Sequence, residues 1–468
     1  MPFIPHTAAE IEQMLAAIGV QSVDELFAEI PDPLKVTTIA DMPAGLTEME
    51  LRQLMLLRAD QDNYKLNFIG AGSYEHHIPA AVWEIAGRGE YLTSYTPYQA
   101  EASQGTLQLL YEYQTMLVRL MATEAANASM YDGASALAEA VLMAVRLSHG
   151  KKKQVLMLTT VHPHYRQAVT TLVQSREIEI FNVPYAPESG CVTLTEISAV
   201  AGIATETVAT AETLASNNIA ALVIQQPNFF GGLEDVDNLV NWAHKHNILV
   251  IAVVNPMAMA LLQPPGVWGD NGADIICGEG QPFGIPMASG GPYCGFMCCK
   301  KKYIRQLPGR IVGRTTDTAG RVGYVLTLQA REQHIRRAKA NSNICTNQGL
   351  LVTAMTLYMS LLGFSGIQAV AKSCHHNTLL LVKLLQKQAL ENHAGFKLKF
   401  NSPYFHEVVL QCPQPVSKIK EHLAQRGIQA GFALGDSYPE LADCLLCCVT
   451  ETKTPADIEL FVQELQQI

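Results

Sequence analysis

Short apolar runs that alternate with helical stretches constrain the fold of this chain more than any other feature. Four such runs occupy residues 155–158, 178–181, 220–224 and 248–254, and helical patterns such as that of residues 235–246 lie between them. Continuous apolar strands joined by helices are typical of a parallel sheet covered on both faces. The sequence therefore predicts an α/β fold, and the segments after each strand are the first candidates for a ligand site.

The two ends of the chain have different patterns. Capping boxes begin at Thr7, Ser22 and Thr47, so residues 1–60 are predicted to form a helical arm. A helical stretch from about Thr327 to Leu362 is followed by alternating strand-like and helical segments, and the last helix is predicted to begin at Thr454. We therefore expect a large α/β domain over residues 61–326, then a linking helix and a small α+β domain over 327–468.

Charge and cysteine content exclude several classes of protein. The net charge of −10 argues against nucleic acid as a partner, since a nucleic-acid-binding protein needs a basic face. Neither a secretory signal nor an uninterrupted apolar run of membrane-spanning length is evident. The 11 cysteines are scattered, which is typical of a reduced compartment. We expect a cytoplasmic protein without a nucleic-acid or membrane partner.

Residues 274–296 have the outline of a glycine-rich active-site turn, with the frame Phe283, Ile285-Pro286 and Gly290-Gly291-Pro292. This turn resembles that of glycine decarboxylase, the pyridoxal-phosphate P-protein of the glycine cleavage system, in which a lysine precedes Thr-Phe-x-Ile-Pro. Here that position holds Gln281, and no lysine occurs between Lys245 and Lys300. Because only an amine forms a Schiff base with the aldehyde, Gln281 cannot carry the cofactor covalently.

A second cofactor role is also lost, at the end of the strand 248–254. A pyridoxal site needs a carboxylate against the pyridinium nitrogen, but this position holds Asn255, and residues 247–269 contain no acid. Two losses together predict a degenerate site, unless the alignment is shifted or the fold is different.

The rest of such a pocket has candidates in the sequence. His162 stands where the family has its ring-stacking histidine, and Gly133 and Ser135 open a helix that could bind an anion or could be an ordinary capped start. His162 and His164 have no further ligands at metal-site spacing, so we predict no metal site. The predicted vestigial pocket comprises Gly133, Ser135, His162, Asn255 and Gln281.

The two longest matches to the family lie elsewhere. Residues 95–105 (the Tyr95 loop) resemble its motif Tyr-Thr-Pro-Tyr-Gln-x-Glu-x-Ser-Gln-Gly, and residues 331–346 (the arginine segment), preceded by Pro308–Gly313, are as similar. Both segments belong to the N-terminal half of the fused P-protein, whereas the cofactor lysine belongs to its C-terminal half. In many bacteria the halves are separate chains, and this chain resembles the first, the alpha or subunit 1 type, over nearly its whole length.

The resemblance implies an aspartate-aminotransferase-like fold of type I and a role in glycine dehydrogenase (aminomethyl-transferring, decarboxylating). It also implies an α2β2 assembly with a lysine-bearing subunit 2 that holds pyridoxal phosphate, and transfer of glycine's aminomethyl group to the lipoyl arm of H-protein. We expect this chain to contribute an interface wall of the active site, formed by Tyr95, Tyr98, Gln99, Glu101, Gln104, Arg331 and Arg336. Structural roles for the arginines, a purely structural pseudoenzyme, and a self-sufficient pyridoxal enzyme with a remote lysine remain alternatives.

Overall fold

The computed structural model describes residues 5–36, 42–62, 64–202, 218–288, 290–392 and 395–468. It also describes their side chains, except those of residues 388–392. These residues form two units, 1–63 and 64–468. The first unit contains helices α1 (Ala8–Ile18) and α2 (Glu48–Gln61) with two short 3-10 turns. Thr7 and Thr47 make the predicted capping boxes with Glu10 and Glu50, whereas Ser22 precedes only the 3-10 turn Asp24–Phe27.

The second unit alternates strands with helices over most of its length. Its helices are α3 (Ala80–Ala86), α4 (Gly89–Leu92), α5 (Gln104–Leu120), α6 (Gly133–Leu147), α7 (Pro163–Val173), α8 (Leu194–Ala201), α9 (Val236–Lys245), α10 (Gln333–Arg336), α11 (Gly349–Asn392), α12 (Val416–Ala424) and α13 (Pro455–Gln466). Its strands are β1 (Leu66–Asn67), β2 (Ala125–Ala126), β3 (Gln154–Leu158), β4 (Glu179–Val183), β5 (Ile219–Gln226), β6 (Leu249–Val254), β7 (Ile275–Glu279), β8 (Gly295–Cys299), β9 (Val312–Thr316), β10 (Val322–Leu326), β11 (Lys397–Leu398), β12 (Glu407–Gln411), β13 (Ile428–Gln429), β14 (Phe432–Ala433) and β15 (Cys444–Cys448).

A seven-stranded sheet of order β2-β8-β7-β6-β5-β3-β4 forms the centre of this unit. The strands β3 to β7 are parallel to one another. At one edge of the sheet, β8 is antiparallel to both of its neighbours, β7 and β2. The four strands predicted from the apolar runs are β3, β4, β5 and β6, which confirms the mostly parallel α/β fold. Residues of β5, β6 and β7 are almost entirely buried, as expected for a sheet covered on both faces.

A four-stranded antiparallel sheet, β11-β12-β15-β14, occupies the C-terminal part with α12 and α13. Its core includes Ile458 and Phe461, and the Phe461 ring stacks on Phe68 at a centroid distance of 4.0 Å. The last helix begins as predicted, with Thr454 as its cap and Pro455 as its first residue. The domain boundaries at residues 60 and 326 stay predictions.

The long helix begins later than predicted, whereas its predicted end at about Leu362 lies directly before a break in helical geometry at Gly363, after which the helix continues to Asn392. Residues 327–348 form short turns and irregular chain, because the backbone folds back on itself: the Asn341 amide donates to the Arg331 carbonyl at 3.1 Å. Helix α11 begins only at Gly349, and it bends at Gly363, whose φ of 60° and ψ of −179° are not helical.

One helical stretch, Gly349–Lys387, contains an 18-residue window that is apolar enough to cross a membrane by length and composition, with a mean hydropathy of 1.7. Polar residues such as Thr353, Ser360 and Lys372 interrupt this helix, so it does not contradict the expectation that no uninterrupted apolar run reaches this length. Half of that window is buried inside the protein, where Val352, Met355 and Tyr358 pack in the main core. This is the behaviour of a core helix.

Candidate functional site

The carboxyl ends of β3, β5, β6 and β7 meet at a small cavity. His162 follows β3, Asn255 follows β6, and Glu279 ends β7, while His406 and Glu407 enter from β12 and the residue before it. This is where a parallel sheet places its ligands. The cavity, however, measures about 40 Å³, whereas pockets for small molecules usually measure about 300–1,000 Å³.

Gln281 is built into the turn and is not directed at a ligand. Its side-chain oxygen accepts the Tyr74 amide at 2.9 Å, and its amide nitrogen donates to the carbonyls of Tyr74 and Ile285, each at 2.8 Å. The side chain is 2% exposed. Gln281 therefore joins two loops with three hydrogen bonds, at the position where the resemblance led us to expect a lysine.

The carboxylate of Glu279 lies at the N-terminus of α6, where the cofactor phosphate was expected. It accepts the Gly133 amide at 2.9 Å with one oxygen, and the amides of Gln281 and Cys294 at 3.0 Å with the other. Burial raises the pKa of Glu279 to about 7, although these hydrogen bonds oppose the rise. A side-chain carboxyl group of the protein thus accepts the Gly133 amide at a helix start that could have held a phosphate.

Ser135 completes an ordinary capping box at the same helix start. Its amide donates to Asp132 at 2.8 Å, and its hydroxyl accepts the Asp132 amide at 3.2 Å. This confirms the simpler alternative for the motif at Asp132, a capped helix start.

Tyr165 covers the face of His162. The two ring centroids are 4.8 Å apart and the planes differ by 20°. A Cβ atom on Gly133 would come within 2.4 Å of the Tyr165 hydroxyl, so the tyrosine reaches from His162 to the start of α6. Burial lowers the pKa of His162 to about 4, and its Nε2 lies 2.8 Å from the Ala71 carbonyl, to which the neutral ring donates. The stacking partner of His162 is therefore a side chain of the same protein.

Asn255 is also used locally. Its side-chain oxygen accepts the Met257 amide at 3.0 Å, and its side-chain nitrogen lies 3.3 Å from His406 Nε2. With Gln281, Glu279 and Tyr165, this arrangement leaves neither room nor chemistry for pyridoxal phosphate. The described residues that line this cavity do not fit that cofactor.

The Tyr95 loop and the arginine segment lie side by side. The Arg310 guanidinium lies 5.2 Å from the centre of the Tyr98 ring, forms an ion pair with Glu332, and approaches His334 Nδ1 at 3.3 Å. Tyr95 is 79% exposed, and Gln99 and Glu101 are exposed as well. The two motifs thus form one polar surface, and none of their residues lines the small cavity.

The other residues predicted for this wall make hydrogen bonds to the backbone of neighbouring segments. Gln104 makes two hydrogen bonds of 2.9 Å with the backbone of Tyr324 and so ties α5 to the hairpin β9–β10. Arg331 is 9% exposed, and its guanidinium donates to the carbonyls of Leu307 and Gly309. Arg336 is exposed, and its Nε donates to the Ala330 carbonyl at 3.0 Å. The geometry of Arg331 favours the structural alternative for this arginine.

Comparisons with known proteins identify the family of this chain. The family model described as "Glycine cleavage system P-protein" matches residues 1–465. The chain belongs to this P-protein family. A probable glycine dehydrogenase (decarboxylating) subunit 1 of Nitrosospira multiformis is 56% identical over 468 residues, with 100% of this chain and 99% of the relative covered. A protein of the same description from Coxiella burnetii is 54% identical, with 100% of each covered.

Solved structures place the fold in the same family. A crystal structure of glycine decarboxylase (P-protein) of the glycine cleavage system, in inhibitor-bound form, has a TM-score of 0.84 and 37% identity, and each chain is covered completely. Glutamate decarboxylase of Lactobacillus brevis has a TM-score of 0.66 at 12% identity, with 93% of this chain and 95% of that chain covered, which shows the fold alone. The aspartate-aminotransferase-like expectation is thereby confirmed.

Reasoning from sequence missed the residues that fill the pocket of this P-protein family member. Glu279 stands in the quoted turn, two residues before Gln281, and Tyr165 follows His162 by three residues on α7. An i, i+3 pair on a helix start places two side chains on one face, so Tyr165 could have been found. Glu407 could not, because it arrives from β12, more than 300 residues from its hydrogen-bond partners Ala71 and Tyr74.

Proposed function

We propose that this chain is the subunit of glycine dehydrogenase (decarboxylating) that does not bind pyridoxal phosphate. One observation carries the proposal: a chain matched over its full length by relatives named subunit 1 has the site of its P-protein fold filled by its own Glu279, Tyr165 and Gln281. Such a chain takes part in glycine decarboxylation only together with another subunit.

The partner is a lysine-bearing subunit 2, and the complete enzyme is an α2β2 assembly in the cytoplasm. The name subunit 1 implies a second subunit, and the P-protein family depends on pyridoxal phosphate. Because the residues that line the cavity of this chain do not fit pyridoxal phosphate, we assign the cofactor to the partner. The assembly decarboxylates glycine and passes the aminomethyl group to the lipoyl arm of H-protein.

This chain contributes the polar surface of the Tyr95 loop to the shared site. Tyr95, Gln99 and Glu101 project from that surface, while Tyr98, packed by Arg310, fixes the loop between them. Gln104, Arg331 and Arg336 hold the loop and the arginine segment in place. Exposed polar side chains on an anchored loop suit recognition of a ligand across an interface.

The test is glycine–bicarbonate exchange by the enzyme reconstituted from this chain and its lysine-bearing partner. Tyr95→Phe and Glu101→Gln each remove one polar group from the exposed loop, and we expect exchange to fall at least tenfold while assembly persists. Glu459→Gln, which changes an exposed carboxylate on α13, is the matched control. Unchanged exchange in both loop variants would remove these residues from the site.

A structural scaffold is the second candidate, and the inward-facing Arg331 favours it. In that case the same variants weaken assembly, or change nothing, and never lower exchange in an intact assembly. A self-sufficient pyridoxal enzyme is less well supported, since no lysine lines the cavity among the residues that the structure describes. A borohydride-reducible imine absorbance in the purified chain with pyridoxal phosphate would revive it.

A further inference from the structure

Three separate segments bring a histidine, a cysteine and a glutamate together outside the sites described so far. His76 lies in the loop before α3, Cys374 on α11, and Glu451 just after β15. One ligand atom from each lies within 4.8 Å of the other two. His76 Nδ1 is 2.8 Å from Glu451 Oε2, and Cys374 Sγ is 3.2 Å from the same oxygen.

Hydrogen bonds from three segments converge on the Glu451 carboxylate in a largely buried place. His76 and Cys374 are buried and Glu451 is half-buried. The His77 amide donates to the second oxygen of Glu451 at 2.7 Å, which fixes the orientation of the carboxylate. Without a cation, the Cys374 thiol donates its hydrogen bond to the same carboxylate.

Unpaired polar atoms surround the same cluster. His76 Nε2, Tyr358 Oη and His406 Nδ1 are buried without a hydrogen-bond partner in the described part of the chain. Glu451 and Cys374 are close enough to raise the pKa of Tyr358, after the larger effect of burial. The His406 ring lies 6.5 Å from that of His76. Buried unpaired polar groups commonly mark a bound water or ion, which is a second observation that points to a ligand here.

We propose that His76 Nδ1, Cys374 Sγ and Glu451 Oε2 form a site for a thiophilic divalent metal of the Zn²⁺ class. A nitrogen, a thiolate and a carboxylate are ligands of zinc at about 2.0–2.3 Å, and a set of three leaves one coordination position open. Calcium and magnesium would need more oxygen ligands than these segments offer. On binding, Cys374 releases its thiol proton to solvent, and the ring proton of neutral His76 moves by way of solvent from Nδ1 to the unpaired Nε2, which frees Nδ1 for the metal. The two anionic ligands balance the dication.

The metal would join the His76 loop, the long helix and the C-terminal sheet. It has no part in glycine chemistry, and it does not depend on the function proposed above. We therefore expect an effect on metal content and thermal stability, and a bound Zn²⁺ that raises the unfolding temperature of the wild-type chain.

The test is titration of the full-length, chelator-treated chain with Co²⁺, which reports a thiolate ligand through a charge-transfer band. We expect one equivalent per chain and a band that disappears in Cys374→Ala and in Cys374→Ser, which preserves the size of the side chain. His76→Ala and Glu451→Gln should weaken binding of both Co²⁺ and Zn²⁺ and abolish the rise in unfolding temperature.

Two other cysteines serve as matched controls. Cys345 is exposed and Cys412 is buried in another part of the chain, and Cys345→Ala and Cys412→Ala should keep the band. Absence of the band in the wild-type chain, its survival in Cys374→Ala, or its loss in Cys345→Ala would each overturn the proposal.

Discussion

At the scale of single residues, Gln281 changes more than the reactive group of the turn. Its three hydrogen bonds join the turn to the Tyr74 loop, Glu279 accepts the Gly133 amide at the start of α6, and Tyr165 stacks on His162. The three side chains make contacts within the protein at the place where a ligand would otherwise bind. Restoring one residue therefore cannot restore the site.

Gln281→Lys tests this directly. A lysine cannot accept the Tyr74 amide, and a buried unpaired amide costs about 1–3 kcal/mol, so the free energy of unfolding should fall by about that amount. Because the cavity is filled, pyridoxal phosphate should give no imine absorbance and no borohydride adduct. Gln167→Lys, at an exposed position of α7, is the control for added charge, and a reducible band specific to Gln281→Lys would contradict the prediction.

Buried carboxyl groups predict a pH dependence of stability. Burial raises the pKa of Glu407 from an ordinary value of 4.5 to about 7. The folded state therefore binds this proton more tightly than the unfolded state, so its stabilising contribution is complete below the unfolded pKa and is lost as the pH rises through 7. Glu234 and Glu279 have the same shift. The urea concentration at the midpoint of unfolding should therefore decrease as the pH rises from about 5 to about 8.

Glu407→Gln should make that fall shallower. The glutamine oxygen can accept the Ala71 amide and its nitrogen can donate to the Tyr74 hydroxyl, so both hydrogen bonds of Glu407 have a neutral replacement. The exposed control Glu459→Gln should leave the slope unchanged. A slope that is the same in Glu407→Gln as in the wild type would mean that Glu407 does not titrate in this range.

At the scale of elements, the sequence predicted the helices and strands that depend on local patterns. It did not predict the features that depend on contacts between distant residues. The four parallel strands, the helix α9 and the capped last helix follow from apolar periodicity and capping residues, which are local. The start of α11 was misplaced by 22 residues, at Thr327 and not Gly349, because Arg331 is held by the carbonyls of Leu307 and Gly309. The residues that fill the pocket are likewise held by contacts between segments that are distant in the sequence.

The bend in α11 rests on one glycine. Gly363 has a φ of 60° and a ψ of −179°, a conformation that is strained for any other residue. In the described part of the chain no atom lies within 4 Å of an added Cβ there, so the cost of the substitution comes from the backbone conformation. Gly363→Ala should lower the free energy of unfolding by about 1–3 kcal/mol.

Gly349→Ala is the matched control for this bend. It also has open space around its Cβ, and its φ is not in the left-handed range. It should be neutral or slightly stabilising in chemical denaturation, because alanine is the better helix former. Equal effects of the two variants would show that the bend is not held by the conformation of Gly363.

At the scale of the whole molecule, the fold of a cofactor enzyme is retained while its cofactor site is closed. The complete enzyme should therefore hold one pyridoxal phosphate for each pair of unlike chains. Borohydride reduction of the reconstituted enzyme, followed by peptide mass spectrometry, should find the adduct only in peptides of the partner. An adduct on a lysine of this chain would contradict the assignment.

The small volume of the cavity, about 40 Å³, also has a consequence for how this chain responds to the supply of vitamin B6 in the cell. A chain whose interior is completed by its own side chains needs no vitamin-derived molecule to finish folding. During vitamin B6 shortage, we expect this chain to accumulate in its native form while its partner stays incomplete. When the vitamin returns, recovery should be limited by loading of the partner and should need no new synthesis of this chain.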